Sequence, residues 1–384
     1  MIRRLVLALC LAAPAQAQAQ IISPIVAGPS HTGTFPYSGP GDIVSSASAW
    51  YSVARAYNNT VALAGANAVT LRAFTGTNAG NSTTIKVLSN GLVDVPAANA
   101  WAGIDTASIS CTSAANTLTC TSASSKPNPG DTFTGPGVTQ PCYALSVGTF
   151  TGGAGTVTTQ GAGCGTIASP VTMVAQGALY ASTVYDQTAG NACGSAACDL
   201  VQATTNDQPV WLPYCSNGGT EPCISMNSAV ATMASANNFT PNGAFQVTLE
   251  AVGNEVSGTG TTNLIQQNAN NNLLQHSATN TWKTLMGGSA GATGTANDAA
   301  WNVGVGVGQA GANATILNIN GTETTATRTP NATAGAPQIK GVGSTTLLWS
   351  EAGFWDHLVM TQTQRTNVCH NAATFYGVST GTFC

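Results

Sequence analysis

Apolar and polar positions alternate over short stretches through most of this chain. "AVTLRAF" (Ala68 to Phe74), "AFQVTLEAV" (Ala244 to Val252), "WNVGVGVG" (Trp301 to Gly308) and "ATILNIN" (Ala314 to Asn320) are β-branched or alternating, and Gly, Asn and Thr clusters bound them. A period of two predicts strands with one face toward a core. Asn320-Gly321, between "ILNI" and "TETTAT", predicts a tight hairpin, because both central residues of that turn take positive φ. Helical spacing predicts two short helices. In the first, about Ser45 to Tyr57, Ala47, Tyr51, Ala54 and Tyr57 recur along one face. In the second, about Gln362 to Tyr376, Thr361 caps the start, Gln364 completes a capping box and Gly377 ends it. Val368, Ala372 and Phe375 give that helix its apolar face. Many short strands without alternating long helices predict an all-β fold, a β-sandwich or jelly roll.

Residues 105–180 interrupt this pattern. They are nearly all Thr, Ser, Gly, Val and Ala, and "TFTG" at Thr132 to Gly135 recurs at Thr149 to Gly152. This reads as a small β-module of tight turns inserted into a loop of the main body, which then spans 20–104 and 181–384. The module is expected to decorate the body or to meet a partner.

The N-terminus changes the picture of where the protein works. Arg3 and Arg4, an apolar run from Leu5 to Ala13 and small-residue sites near Ala17 and Ala19 read as a secretory signal peptide over 1–19. One cysteine, Cys10, lies within it. The others fall as neighbouring couples: Cys111 with Cys120, Cys142 with Cys164, Cys193 with Cys198, Cys215 with Cys223, and Cys369 with Cys384. In a secreted chain, extracellular or periplasmic, an even count predicts disulfides, and each couple encloses a loop-sized segment. Zinc is not expected: no Cys-x-x-Cys occurs and His31, His276, His357 and His370 are scattered. No cofactor is implied.

Charged residues make up only 6% of the chain and the net charge is −4. With no basic patch, nucleic acid is not an expected partner, and no other run is apolar enough to span a membrane. A surface of hydroxyls and amides suits a polysaccharide or glycan partner. It equally suits solubility without charge.

At "TVYDQTAGN", Thr183 to Asn191, the chain resembles the Tyr-Asp-Gln-Ser-Gly-Asn-Gly-Asn stretch of the catalytic domain of the family-54 α-L-arabinofuranosidases, and of related concanavalin A-like jelly rolls. "DIVSSASAWYSVARAY" resembles that family's opening helix, "FQVTLEAVGN" a strand of its sandwich, and "GFWDHLVMTQTQRTNVCHNAATFYG" a closing strand and helix. The resemblance implies a concanavalin A-like jelly roll and retaining hydrolysis of terminal arabinofuranose. That chemistry needs two carboxyl groups about 5 Å apart. At the stretch comparable to the family's nucleophile, "NLIQQNANNN", Gln267 and Asn268 stand where a Glu-Asn pair is wanted. At the stretch comparable to its acid, Gly343 and Ser344 offer no carboxylate, and the family's adjacent Cys-Cys pair is absent.

Only 14 acidic residues occur in the whole chain. Glu250 and Asp298 are the candidate catalytic acids in the sandwich half, and Glu255 and Glu351 could also reach a cleft. Asp356 is expected to pin the closing strand, and Glu323 to be solvated. Asp186 sits at a strand end before a turn, where it can fix the backbone, contact a glycan or do chemistry; fixing the turn is the expected role. The candidate glycan contacts are Tyr185, Asp186, Gln187, Asn191, Asn268 and Trp282, the last in the polar run "SATNTWKTL" and expected to be exposed. Two functional classes follow. One is an arabinofuranosidase-like glycoside hydrolase. The other is a non-catalytic glycan-binding protein or a surface or phage-like structural jelly roll.

Overall fold

A computed structural model describes residues 37–139, 142–159, 164–188, 193, 198–216, 221–226, 231–238, 246–257, 261–267, 272–286, 289–298, 300–309, 315–327, 335–341 and 346–384. The fold is all-β: 53% of it is strand and 12% helical, and its antiparallel sheets curl into a near-barrel and a half-barrel.

The largest sheet is built on two long strands, Val247–Ser257 and Thr346–Asp356, with Val247 opposite Asp356 and Ser257 opposite Thr346. The free edge of Val247–Ser257 takes Asn302–Gly308, followed by the hairpin Thr315–Ile319 and Thr322–Ala326. The turn of that hairpin is Asn320-Gly321, with φ of 48° and 85°, as the pair predicts. The other edge of Thr346–Asp356 is shared by Ala49–Ser52 and Glu221–Met226. Beyond Glu221–Met226 follow Val210–Ser216, Leu179–Val184, Asn67–Ala73 and Ser82–Lys86. A branch from Leu179–Val184 passes through Leu200–Val201, Thr232–Ala234 and Pro337–Lys340 to Thr262–Gln267, Asn272–Ala278 and Thr281–Met286.

Alternation divides the long strands between two cores. Leu249, Ala251 and Phe354 face one core with Trp211, Ile265 and Trp282. Val252 and Trp355 face the other, with Trp50, Val303 and Val305, under the C-terminal helix Gln362–Tyr376. That helix has the predicted capping box of Thr361 and Gln364 and ends at Gly377 with φ of 65°. Its apolar side, Val368, Ala372 and Phe375, is buried. Glu323, expected to be solvated, instead pairs with Arg365 of this helix at 2.8 Å.

The first predicted helix is a correction. Within Ser45 to Tyr57 the regular element is the strand Ala49–Ser52, paired with residues 351–354. All four of its residues are buried, because Trp50 and Tyr51 face opposite cores. Burial on both faces produces an apolar run that imitates helical spacing. Short helices form instead at Pro40–Ile43, Asn59–Ala64 and Val95–Ala102.

Residues 104–176 form a separate six-stranded antiparallel sheet, ordered Thr132–Thr134, Ile167–Gln176, Ile104–Ala114, Thr117–Ala123, Gly155–Thr159 and Ala144–Val147. A bridge between Thr132 and Tyr143 links its two ends. It has its own core of Ile109, Leu118, Phe133, Val157 and Met173. Tyr143 reaches out of it into a cluster with Val210, Leu212 and Leu348, and shares a 2.8 Å hydrogen bond with Ser225. The hydroxyl of Thr75 donates to the buried Asp131 at 2.9 Å and so ties the small sheet to the body.

All five predicted cysteine couples are disulfides: Cys111–Cys120, Cys142–Cys164, Cys193–Cys198, Cys215–Cys223 and Cys369–Cys384. They fit an extracellular or otherwise oxidising compartment. Among the described residues, no helix is long and apolar enough to cross a membrane.

Candidate functional site

The Tyr185-Asp186-Gln187 motif follows the strand Leu179–Val184 and lies against the segment Trp50 to Tyr57. Asp186 Oδ1 accepts from the backbone N–H of Trp50 at 3.1 Å and of Thr188 at 3.0 Å, and from the Thr188 hydroxyl at 2.9 Å. Its own N–H donates to Asp199 at 2.9 Å. Burial pushes the Asp186 carboxyl up to about 6, against the pull of these donors toward the ionised form. Gln187 is buried. Its Oε1 accepts from Tyr57 N–H at 3.0 Å, and its Nε2 donates to the carbonyls of Ser52 and Arg55. The hydroxyls of Tyr185 and Thr70 share a 2.9 Å bond. The motif therefore fastens an irregular segment to the sheet edge and satisfies backbone groups that no strand partner reaches. Asp186 does what its position before a turn predicts.

A pair of acids lies under the C-terminal helix. Glu250 stands opposite Gly353 and Val252 opposite Glu351, so the two glutamates are diagonal neighbours on one sheet face. Glu351 holds Arg55 in a two-pronged ion pair, Oε2 to Nε at 2.8 Å and Oε1 to Nη2 at 2.6 Å. Tyr376 donates to Glu351 Oε2 at 2.8 Å, Asn371 accepts from Arg55 Nη1 at 2.7 Å, and the rings of Phe375 and Tyr376 lie against the guanidinium. Burial lowers the Arg55 pKa, but the adjacent Glu351 more than offsets this and the net shift is upward. Among the described residues, neither oxygen of Glu250 nor the nearby Trp50 indole N–H has a partner in hydrogen-bonding geometry. Burial, and then the charge of Glu351, raise the Glu250 pKa well above the ordinary range. Two neighbouring carboxyl groups are what glycoside hydrolysis uses. Here both side chains are 0% exposed, beneath Trp50, Trp355 and Tyr376. The pair lines no groove.

Asp298, the other catalytic candidate, belongs to a different cluster. His276, fully buried on the strand Asn272–Ala278, contacts Glu255 through Nδ1 and Asp298 Oδ1 through Nε2 at 2.9 Å. Glu255 Oε2 also accepts from Thr262, and burial raises the Glu255 pKa. Asp298 Oδ2 accepts from Asn280 N–H at 2.7 Å, so the relay anchors the turn before Thr281–Met286. Glu255, His276 and Asp298 are far apart in the chain, and no local motif announces them. Among the described residues no group of three or more His, Cys, Asp and Glu is arranged to hold a metal.

Trp282 is a second correction. It is 1% exposed and packs in the main core, because Trp282, Thr284 and Met286 all face inward while Lys283 and Leu285 face outward. Gly304 makes room for it: a Cβ there would lie 2.7 Å from the indole. Trp282 is therefore unavailable as a sugar platform. Asn191 and Asn268 lie outside the described residues. Asp356 ends its strand, its N–H donating to Ser48 Oγ at 2.9 Å and its carboxylate meeting His357 at 3.1 Å.

No protein-family model matches this chain, and no curated protein matches it.

Four side-chain amides gather on one sheet face, where Asn263, Gln266 and Gln275 are nearly buried and Gln338 is half-buried. Gln275 Nε2 donates to Asn263 Oδ1 at 2.6 Å, Asn263 donates to Gln266, and Gln266 donates to Gln338 at 2.6 Å. These four amides come from three adjacent strands, Asn272–Ala278, Thr262–Gln267 and Pro337–Lys340. Sequence reasoning found only the neighbouring Asn268. The available signal was the density of Asn and Gln in "TNLIQQNANNNLLQ", at positions where strands normally carry β-branched residues.

Proposed function

We propose that this protein is a secreted, non-catalytic carbohydrate-binding protein on an all-β scaffold. The observation that carries the non-catalytic part is the sealed Glu250–Glu351 pair. Retaining hydrolysis needs two carboxyl groups flanking the glycosidic bond, and these neighbouring glutamates lie beneath a helix and two tryptophans. The resemblance to the family-54 arabinofuranosidases supports carbohydrate as the ligand class. The amide cluster supports it through the half-buried Gln338, whose side-chain amide can donate to a hydroxyl, while Asn263, Gln266 and Gln275 are nearly buried and bonded to one another. Disulfides across the chain support an exported protein.

Affinity electrophoresis of the oxidised protein through gels holding arabinoxylan, galactan, pectin or cellulose derivatives tests this reading. Retardation by at least one polysaccharide is expected. Unretarded migration in all of them overturns the reading in favour of a structural subunit. The separately cored sheet of residues 104–176 fits that alternative, which requires a stable oligomer instead.

A further inference from the structure

Four residues stand directly opposite one another across four adjacent strands. Lys283 faces Gln275, Gln275 faces Asn263, and Asn263 faces Lys340. Directly opposed residues share a sheet face, so two lysines bracket two amides in a single transverse row. Gln338, two residues from Lys340 on the same strand, extends the row through its bond to Gln266.

This row is not explained by strand formation. Asn and Lys are disfavoured in strands, and a chain with only ten Lys and Arg spends two of them here. Arg55 and Arg365 are committed to Glu351 and Glu323. Lys283 and Lys340 are half-buried, and among the described residues neither has an ion-pair partner. A half-buried lysine lays its stem along apolar surface and turns its ammonium group outward, where it can meet an anion. Gln275 Oε1 and Gln338 Nε2 make no hydrogen bond among the described residues. The row therefore places a half-buried lysine at each end, a half-buried donor amide at Gln338, and nearly buried amides at Gln275 and Asn263 between them. Three interstrand steps of about 4.8 Å separate the lysines, a span of ~14 Å.

We propose that this row binds an acidic glycan, a polymer whose sugar rings carry carboxylates. Lys283 and Lys340 each take a uronate carboxylate, and the half-buried Gln338 amide takes a ring hydroxyl, over a floor formed by the nearly buried Asn263 and Gln275. The inference rests on the carbohydrate-binding reading and names its ligand class. Charge complementarity selects it: a neutral glycan leaves both ammonium groups unpaired, and the protein's net charge of −4 leaves this row as a local exception.

The test is isothermal titration with oligogalacturonate and with a neutral xylo-oligosaccharide of equal length. The proteins are wild type, Lys283→Gln, Lys340→Gln, the double variant, and Lys86→Gln as an exposed lysine elsewhere. Circular dichroism melts confirm that each variant is folded, and the single variants serve if the double one is not. The expected result is oligogalacturonate binding that weakens with salt and falls about tenfold or more in the double variant, a loss of about 1.4 kcal/mol, with Lys86→Gln unchanged. Equal binding by wild type and the lysine variants overturns the inference. Binding of the neutral sugar alone also overturns it while leaving the carbohydrate reading intact. Binding of no saccharide in either this titration or the electrophoresis overturns both.

Discussion

Arg55 and Glu351 form a two-pronged ion pair between positions 296 residues apart, with neither side chain reaching solvent. The pair closes the chain on itself, joining the segment after Ala49–Ser52 to the last strand and the C-terminal helix. Removing one partner leaves the other charge buried and uncompensated, which costs about 3–5 kcal/mol. Glu351→Gln and Arg55→Met should each lower the urea midpoint to that extent. The double variant should recover part of the loss, because two apolar or neutral groups can replace the pair. Additive losses in the double variant would show that the two side chains do not act together.

Asp186 should give folding stability a pH dependence opposite to that of a salt-bridged carboxylate. Its folded pKa is raised to about 6 from an ordinary 3.8, so the fold favours the protonated form. That contribution is fully present below the unfolded pKa and is lost as pH rises through the folded pKa. Asp186→Asn keeps an acceptor oxygen for Trp50 and Thr188 and should remove this part of the slope. Denaturation midpoints at about pH 4 and pH 7 should therefore differ less in the variant than in wild type. An unchanged difference would place the slope elsewhere.

Asp131 extends the same reasoning to the join between the two sheets. Burial first, and then its contact with Asp105, push it up to about 8. Its Oδ1 accepts from Thr75 of the main body. Stability from the protonated group falls as pH rises through that value. Limited proteolysis at about pH 9 should cut near residues 104–131 faster than at neutral pH, and Asp131→Asn should abolish the difference.

How much of this was legible in the sequence depended on how local each signal is. The C-terminal helix was legible because Thr361, Gln364 and Gly377 act within one turn of its ends. The Asn320-Gly321 hairpin and the five disulfides were legible for the same reason. The segment Ser45 to Tyr57 was not, since its conformation is set by partners at Gln187, Glu351 and Phe354. The acid pair and the His276 relay were also invisible, because strand register brings their members together across tens to a hundred residues. Trp282 was misread through its polar neighbours, although the alternation of Trp282, Thr284 and Met286 already marked the inward face.

That packing carries its own prediction. A methyl group at Gly304 would meet Cζ3 of Trp282 at 2.7 Å and Leu274 at 3.0 Å. Gly304→Ala should cost about 1–3 kcal/mol through overpacking, read as a lower thermal midpoint and a shifted tryptophan emission. Gly80, with open space around it, has no such neighbour. An unshifted midpoint for Gly304→Ala would contradict the slot assigned to it.

The most direct test of the central claim is product release. Purified, oxidised protein is incubated with arabinoxylan and with an aryl α-L-arabinofuranoside, and chromatography follows free arabinose and aryl alcohol. The account predicts no turnover above buffer, with wild type and Glu250→Gln indistinguishable, from protein that binds polysaccharide in the gel assay. Arabinose release that Glu250→Gln or Glu351→Gln abolishes in a folded protein would contradict it and make the buried pair a working active site.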